Sequence, residues 1–117
     1  MYKFPKDLNL AHFINAELIQ IVIDPFDLVL KFSSDNYIQI EGRWMLFNPD
    51  RNLYDEGNQQ KPKDQYRIHI LLQNRIMSYK VLNPENLEIV FENGYYLHIL
   101  DDSDRYESLT ISPDIIV

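Results

Sequence analysis

From residue 16 onward, apolar and polar positions alternate with a period of two, the spacing of a β-strand rather than a helix. Ile19, Ile21 and Ile23 fall on one side, with Leu18, Gln20 and Val22 on the other. Both sides are largely apolar, which predicts a strand that is central or covered. Asp24-Pro25-Phe26-Asp27 then breaks the run into a turn, because proline sets φ and has no N–H to give a ladder. Leu28, Leu30 and Phe32 make the next inward face, and Ser33-Ser34-Asp35-Asn36 turns the chain again. Ile38 and Ile40 face in, while Tyr37, Gln39 and Glu41 face out. Gly42 suits a bulge, past which residues 43–47 extend the same strand. Ahead of the strands, residues 5–15 set Leu10, Phe13 and Ile14 at helical spacing behind Pro5 and Asp7. Such a short helix or turn must lean on the sheet.

The clearest strand pair spans residues 87–100. Leu87, Ile89 and Phe91 point one way, the chain turns at Asn93-Gly94, and Leu97 and Ile99 return to the same side. This pair has a counterpart earlier in the chain. Leu10, Phe13 and Ile14 match Ile68, Leu71 and Leu72 at an offset of 58, as do Ile19, Ile21 and Ile23 with Met77, Tyr79 and Val81. One residue is added in the turn. At an offset of 59, Pro25 then falls on Pro84, Leu28 on Leu87, Leu30 on Ile89, Phe32 on Phe91, and Ile38 and Ile40 on Leu97 and Ile99.

The expected fold class is therefore α+β but mostly β, within a single domain over 1–117. It holds two repeated units at about 8–47 and 66–111, each a short helix or turn plus a three-strand antiparallel meander. A polar connection at 48–65 joins them, and residues 106–111 add a final C-terminal strand before Ser112-Pro113. The pattern leaves open whether the units form one sheet, two packed sheets or a barrel.

Composition narrows the function classes. Among 117 residues, 18 are acidic and 11 basic, a net charge of -7. That field repels phosphate backbones and attracts basic partners, so no nucleic-acid ligand is expected. The absence of cysteine excludes disulfides and thiolate chemistry and fits a reducing compartment. No run approaches a membrane span, and Met1-Tyr2-Lys3-Phe4-Pro5-Lys6 lacks the apolar core of a signal peptide, so a cytoplasmic location is expected.

The search for chemistry finds nothing to build a reaction on. His12, His69 and His98 have no second ligand at metal spacing, and the three glycines are isolated, so no phosphate loop exists. No cofactor, metal or catalytic residue is expected. The densest ionisable cluster is Asp101-Asp102-Ser103-Asp104-Arg105-Tyr106-Glu107. It lacks the glycine and glutamate of a calcium loop, and reads as a capped turn or as an acidic partner surface. An inward Glu107 would need a partner such as Arg43, Arg67 or Arg75. Trp44, the single tryptophan, suits closing an end of the core, with a partner anchor as the alternative.

Residues 87–99, the acidic turn and Tyr106-Glu107-Ser108 together resemble the pattern of the uncharacterised bacterial DUF6188-like family of small proteins. The likeness is clearest over residues 68–111 and implies no activity. Size, charge and β-rich build are also similar to those of immunity proteins of bacterial toxin systems. The expected function is thus a non-enzymatic binding protein, a cognate immunity protein that neutralises a basic toxin domain, perhaps a nuclease, through an acidic surface. That surface is expected at Asp101, Asp102, Asp104 and Glu107, with Asp50, Asp55 and Glu56 as a second acidic patch. Tyr37, Tyr54, Tyr95, Tyr96 and Trp44 are the candidate anchors. The alternative is a small-molecule or regulatory module with a pocket between the two repeats, lined by Tyr and His. An enzyme is the weakest reading and would need His98 beside Asp101 or Glu107.

Overall fold

A computed structural model describes residues 3–25, 27–57, 62–101, 109–112 and 115–116. The chain is mostly β and forms two five-stranded antiparallel sheets. The strands are β1 (Leu18–Ile23), β2 (Leu28–Phe32), β3 (Tyr37–Ile40), β4 (Arg43–Phe47), β5 (Leu53–Gly57), β6 (Ile76–Asn83), β7 (Asn86–Phe91), β8 (Tyr96–Leu100), β9 (Leu109–Ile111) and β10 (Ile115–Ile116). One sheet runs β1-β2-β3-β9-β10 and the other β5-β4-β8-β7-β6.

The path between them is reciprocal. After the meander β1–β3, the chain crosses to the other sheet, where the hairpin β4–β5 lies beside β8 (Leu46 opposite Leu97, Trp44 opposite Ile99). After the meander β6–β8, the chain crosses back and β9–β10 lies beside β3 (Ile111 opposite Ile38). Each sheet is thus completed by a hairpin from the other half of the chain.

Inward positions of both sheets form one buried cluster that includes Leu28, Leu30, Phe32, Ile38 and Ile40 with Leu46, Leu87, Ile89, Phe91, Leu97 and Ile99. These are the residues the period-two alternation assigns inward. Trp44 closes one end, edge-on to Tyr66 with ring centroids 5.2 Å apart. A Cβ at Gly57, its cross-strand partner, would overlap the Trp44 ring.

The sheets are stitched together where β1 and β6 begin. Asn15 N–H donates to Ile76 O (2.8 Å) and Gln73 N–H to Leu18 O (2.8 Å). Leu18 N–H donates to Asn74 O (3.0 Å) and Ile76 N–H to Ala16 O (3.1 Å). Adding 58 to one residue of each bond, and subtracting it from the other, turns the first bond into the second and the third into the fourth. Asn15 and Gln73 share φ 68°, a left-handed conformation.

Several expectations need correction. No α-helix occurs among the described residues; residues 11–13, 63–65 and 68–71 are single 3-10 turns. Three or four residues cannot support an α-helical ladder, and the left-handed Asn15 and Gln73 stop the turns. The polar connection contains β5, which the pattern hides because Asp55 faces the core at an apolar position. Gly42 marks a crossing between sheets rather than a bulge within one strand. β1 is an edge strand, neither central nor covered: a register shift between Leu18 and Gln20 displaces Ile19, which is 56% exposed. Of the expected final strand, Leu109–Ile111 are seen as β9, which pairs with a further short strand, β10; residues 106–108 lie outside the described residues. No helix among the described residues is long and apolar enough to cross a membrane.

Candidate functional site

Three of the residues expected on the two acidic patches and among the aromatic anchors, Trp44, Asp55 and Asp101, are buried. Trp44 is 2% exposed and belongs to the core, so it cannot anchor a partner. Asp55 is 3% exposed, and its carboxylate accepts the N–H groups of Glu56 (2.9 Å) and Arg67 (2.5 Å), which fixes the start of the 3-10 turn 68–71. Asp101 is buried, its N–H donating to Glu85 O (2.9 Å). These two acids are therefore not surface charges. Tyr95 packs edge-on against Tyr54 at 5.2 Å, and Tyr96 lies under the Arg51 guanidinium at 3.7 Å. Glu56 is half-buried and Asp50 exposed. Asp102, Asp104 and Glu107 lie outside the described residues.

His98 does not meet Asp101. It points away from the core on β8, directly across from Glu88 on β7. Its Nε2 lies 2.9 Å from Glu88 Oε2 and its Nδ1 3.4 Å from Asn86 Nδ2. Arg51 reaches over from the β4–β5 loop and donates to the same Glu88 oxygen at 2.9 Å. That loop is held by Asn48, whose Oδ1 accepts the N–H groups of Asp50 and Asn52 (both 3.0 Å). Burial pushes the Glu88 carboxyl up, but the hydrogen bonds and charges of His98 and Arg51 together outweigh it and hold the group below its ordinary range. Both His98 nitrogens are engaged, so the cluster serves as a latch tying the loop to the sheet.

The remaining histidines stand apart. His12 Nε2 lies 2.8 Å from Ser112 O, and His69 lines a groove. No cluster of acids and histidines suited to a metal ion occurs among the described residues.

That groove lies between the two halves of the chain and encloses about 350 Å³. Ile19, Gln20, Ile21 and Ile23 of β1 form one wall; Tyr66, Ile68, His69 and Leu72 form the other. Among the described residues no strand pairs with β1 on this side beyond Leu18, and Ile19 and Ile23 are 56% and 44% exposed. The surface is apolar, with a phenol, an imidazole and an amide as its polar groups. It can take up an apolar or aromatic group and orient it by hydrogen bonds.

Sequence reasoning expects a pocket lined by Tyr and His; Tyr66 and His69 do line this groove, whereas β1 as its facing wall is not anticipated. The repeat alignment carried that signal, since it sets Ile21 of this groove against Tyr79 of the other unit. Compared with protein-family models, with curated proteins and with solved structures, the chain matches none.

Proposed function

We propose that this chain is a non-enzymatic binding protein for a basic protein partner, and that its working surface is the groove between β1 and residues 66–72. The open groove itself carries the reading. It combines exposed isoleucines, three polar side chains and a volume in the range of ligand sites, roughly 300–1,000 Å³. The net charge of -7 favours a basic partner and speeds its encounter. A cognate immunity protein that neutralises a basic toxin domain in a bacterial cytoplasm is the specific form of this reading, and the DUF6188-like likeness of residues 68–111 is compatible with it.

The paired hydrogen bonds and repeated apolar positions support a second proposal, that the chain arose by duplication of one unit. The groove would then be a feature one copy keeps open. A small-molecule ligand is the alternative occupant, favoured by Tyr66 and His69 converging on an apolar wall.

The test is Ile21→Tyr, which fills the groove with the residue found at the matching position of the other unit. Wild-type protein is expected to retain a basic partner at about 0.05 M salt and to lose it by about 0.5 M. The variant is expected to retain none at either. Equal retention by both proteins would remove the groove from the proposal. A small molecule carried by wild type through native mass spectrometry, and absent from Ile21→Tyr, would favour the alternative.

A further inference from the structure

The place beside β6 that corresponds to the groove beside β1 is closed by the chain's own residues. At an offset of 58, Tyr66, Ile68, His69 and Leu72 match Leu8, Leu10, Ala11 and Ile14, and Ile21 matches Tyr79. The local backbone agrees: Leu8 N–H donates to Pro5 O (3.2 Å) and Tyr66 N–H to Lys63 O (3.3 Å).

Beside β6, Tyr79 reaches across and its hydroxyl accepts the Leu10 N–H at 3.0 Å. Phe4 is 2% exposed, and its N–H donates to Pro84 O at 2.8 Å. Lys3, just before it, places Nζ 3.3 Å from Glu85 Oε1 and 3.2 Å from Asp101 O. A basic residue followed by an aromatic one thus seals that end of the molecule.

Beside β1 the same positions are poorer. Ile21 is too short to cross, and the match to Phe4 is the exposed Pro62. The carbonyl matching that of Pro84 belongs to Pro25. Next to it, directly after Ile23 of the groove wall, the Asp24 N–H donates to Asp27 O (3.0 Å), and Asp27 Oδ1 is buried without a hydrogen-bond partner among the described residues. The neighbouring Asp27 pushes the Asp24 carboxyl above its ordinary value. Asp27 also accepts Gln39 Nε2 at 2.6 Å. Past Leu18, whose N–H and C=O bond Asn74 and Gln73, β1 offers an edge of five uncharged residues, Ile19 to Ile23, with no lysine or proline guarding it.

We propose that the groove beside β1 takes an extended segment of the partner in which a lysine or arginine precedes an aromatic residue, the aromatic ring entering against Ile21 and the cation meeting Asp24 and Asp27. The proposal rests on the groove being the working surface and adds the chemistry of what fills it. Main-chain bonding to the β1 edge would hold the segment extended, as in strand addition.

The probe is a synthetic peptide copying residues 3–8, Lys-Phe-Pro-Lys-Asp-Leu, with blocked ends and a fluorescent label. Binding is read by anisotropy and located by amide shifts on isotope-labelled protein. Saturable binding is expected, with shifts at the backbone amides of Ile19–Ile23 and of residues 66–72. Ile21→Tyr, or phenylalanine replaced by alanine in the peptide, is expected to weaken it about tenfold or more. Asp24→Asn with Asp27→Asn, or the first lysine replaced by glutamine, is expected to weaken it severalfold. Ile23→Lys, at an exposed position, repeats the test should Ile21→Tyr unfold. No binding at about 1 mM, equal binding to Ile21→Tyr, or shifts confined elsewhere would overturn the proposal. If the peptide fails while Ile21→Tyr still abolishes capture of the whole partner, the groove stands and only the basic–aromatic chemistry falls.

Discussion

Glu88 shows how little a residue's type says about its setting. It is 7% exposed on the outward face of its strand, and ionised there because Arg51 and His98 share one of its oxygens. Replacing Arg51 by alanine leaves that carboxylate with His98 alone and is expected to lower the midpoint of urea unfolding. A carboxyl held low when folded adds stability above its unfolded pKa, and that stability disappears as pH falls through the folded value. Glu88→Gln should therefore flatten the loss of stability on acidification. Asp24 works in the opposite sense. Its carboxyl is raised, so its contribution is present below the ordinary carboxylate range and is lost as pH rises through the folded value. Asp24→Asn is expected to raise the urea midpoint at neutral pH and to change it little in acid. Neither setting was legible beforehand: Glu88 and Asp55 look like surface acids because the sequence displays charge but not the atoms that cover it. Trp44 was half legible, since a lone large aromatic between alternating apolar residues suits a core end.

At the scale of elements, alternation located most strands and failed where one residue broke the period. β5 was hidden by the inward Asp55, and the β1 edge by the displaced Ile19. Gly57 is the residue that lets β5 pass the Trp44 ring. Gly57→Ala is expected to lower stability by about 1–3 kcal/mol and to shift the emission of the single tryptophan. Gln73, left-handed without the side chain that favours it, gives the opposite result: Gln73→Gly is expected to raise the melting temperature by a few degrees, since the relief is about 1 kcal/mol. The groove was legible only as a difference between two aligned elements, Ile21 against Tyr79, because the feature is a side chain one unit lacks.

For the whole molecule, the inward apolar positions could be read and the exchange of hairpins could not. Apolar spacing fixes which face a strand buries, whereas its neighbour in the sheet depends on where the chain crosses. The crossing has a measurable effect. Residues 1–57 expressed alone hold β4–β5 without β8 to receive it, and residues 62–117 hold β9–β10 without β3. Each fragment is expected to lack a cooperative unfolding transition, and an equimolar mixture to recover one, by circular dichroism.

The same wiring bears on how such a chain could begin and how it could go astray. A polypeptide with one unit alone would have to find its missing hairpin in another molecule, so its smallest complete form is a two-fold dimer. Joining two such units in one chain supplies the receiver at a fixed, high local concentration. Two full-length molecules still hold every piece needed to trade hairpins with each other. Refolding at high concentration is therefore expected to give domain-swapped dimers, which revert to monomers only as fast as the sheets reopen.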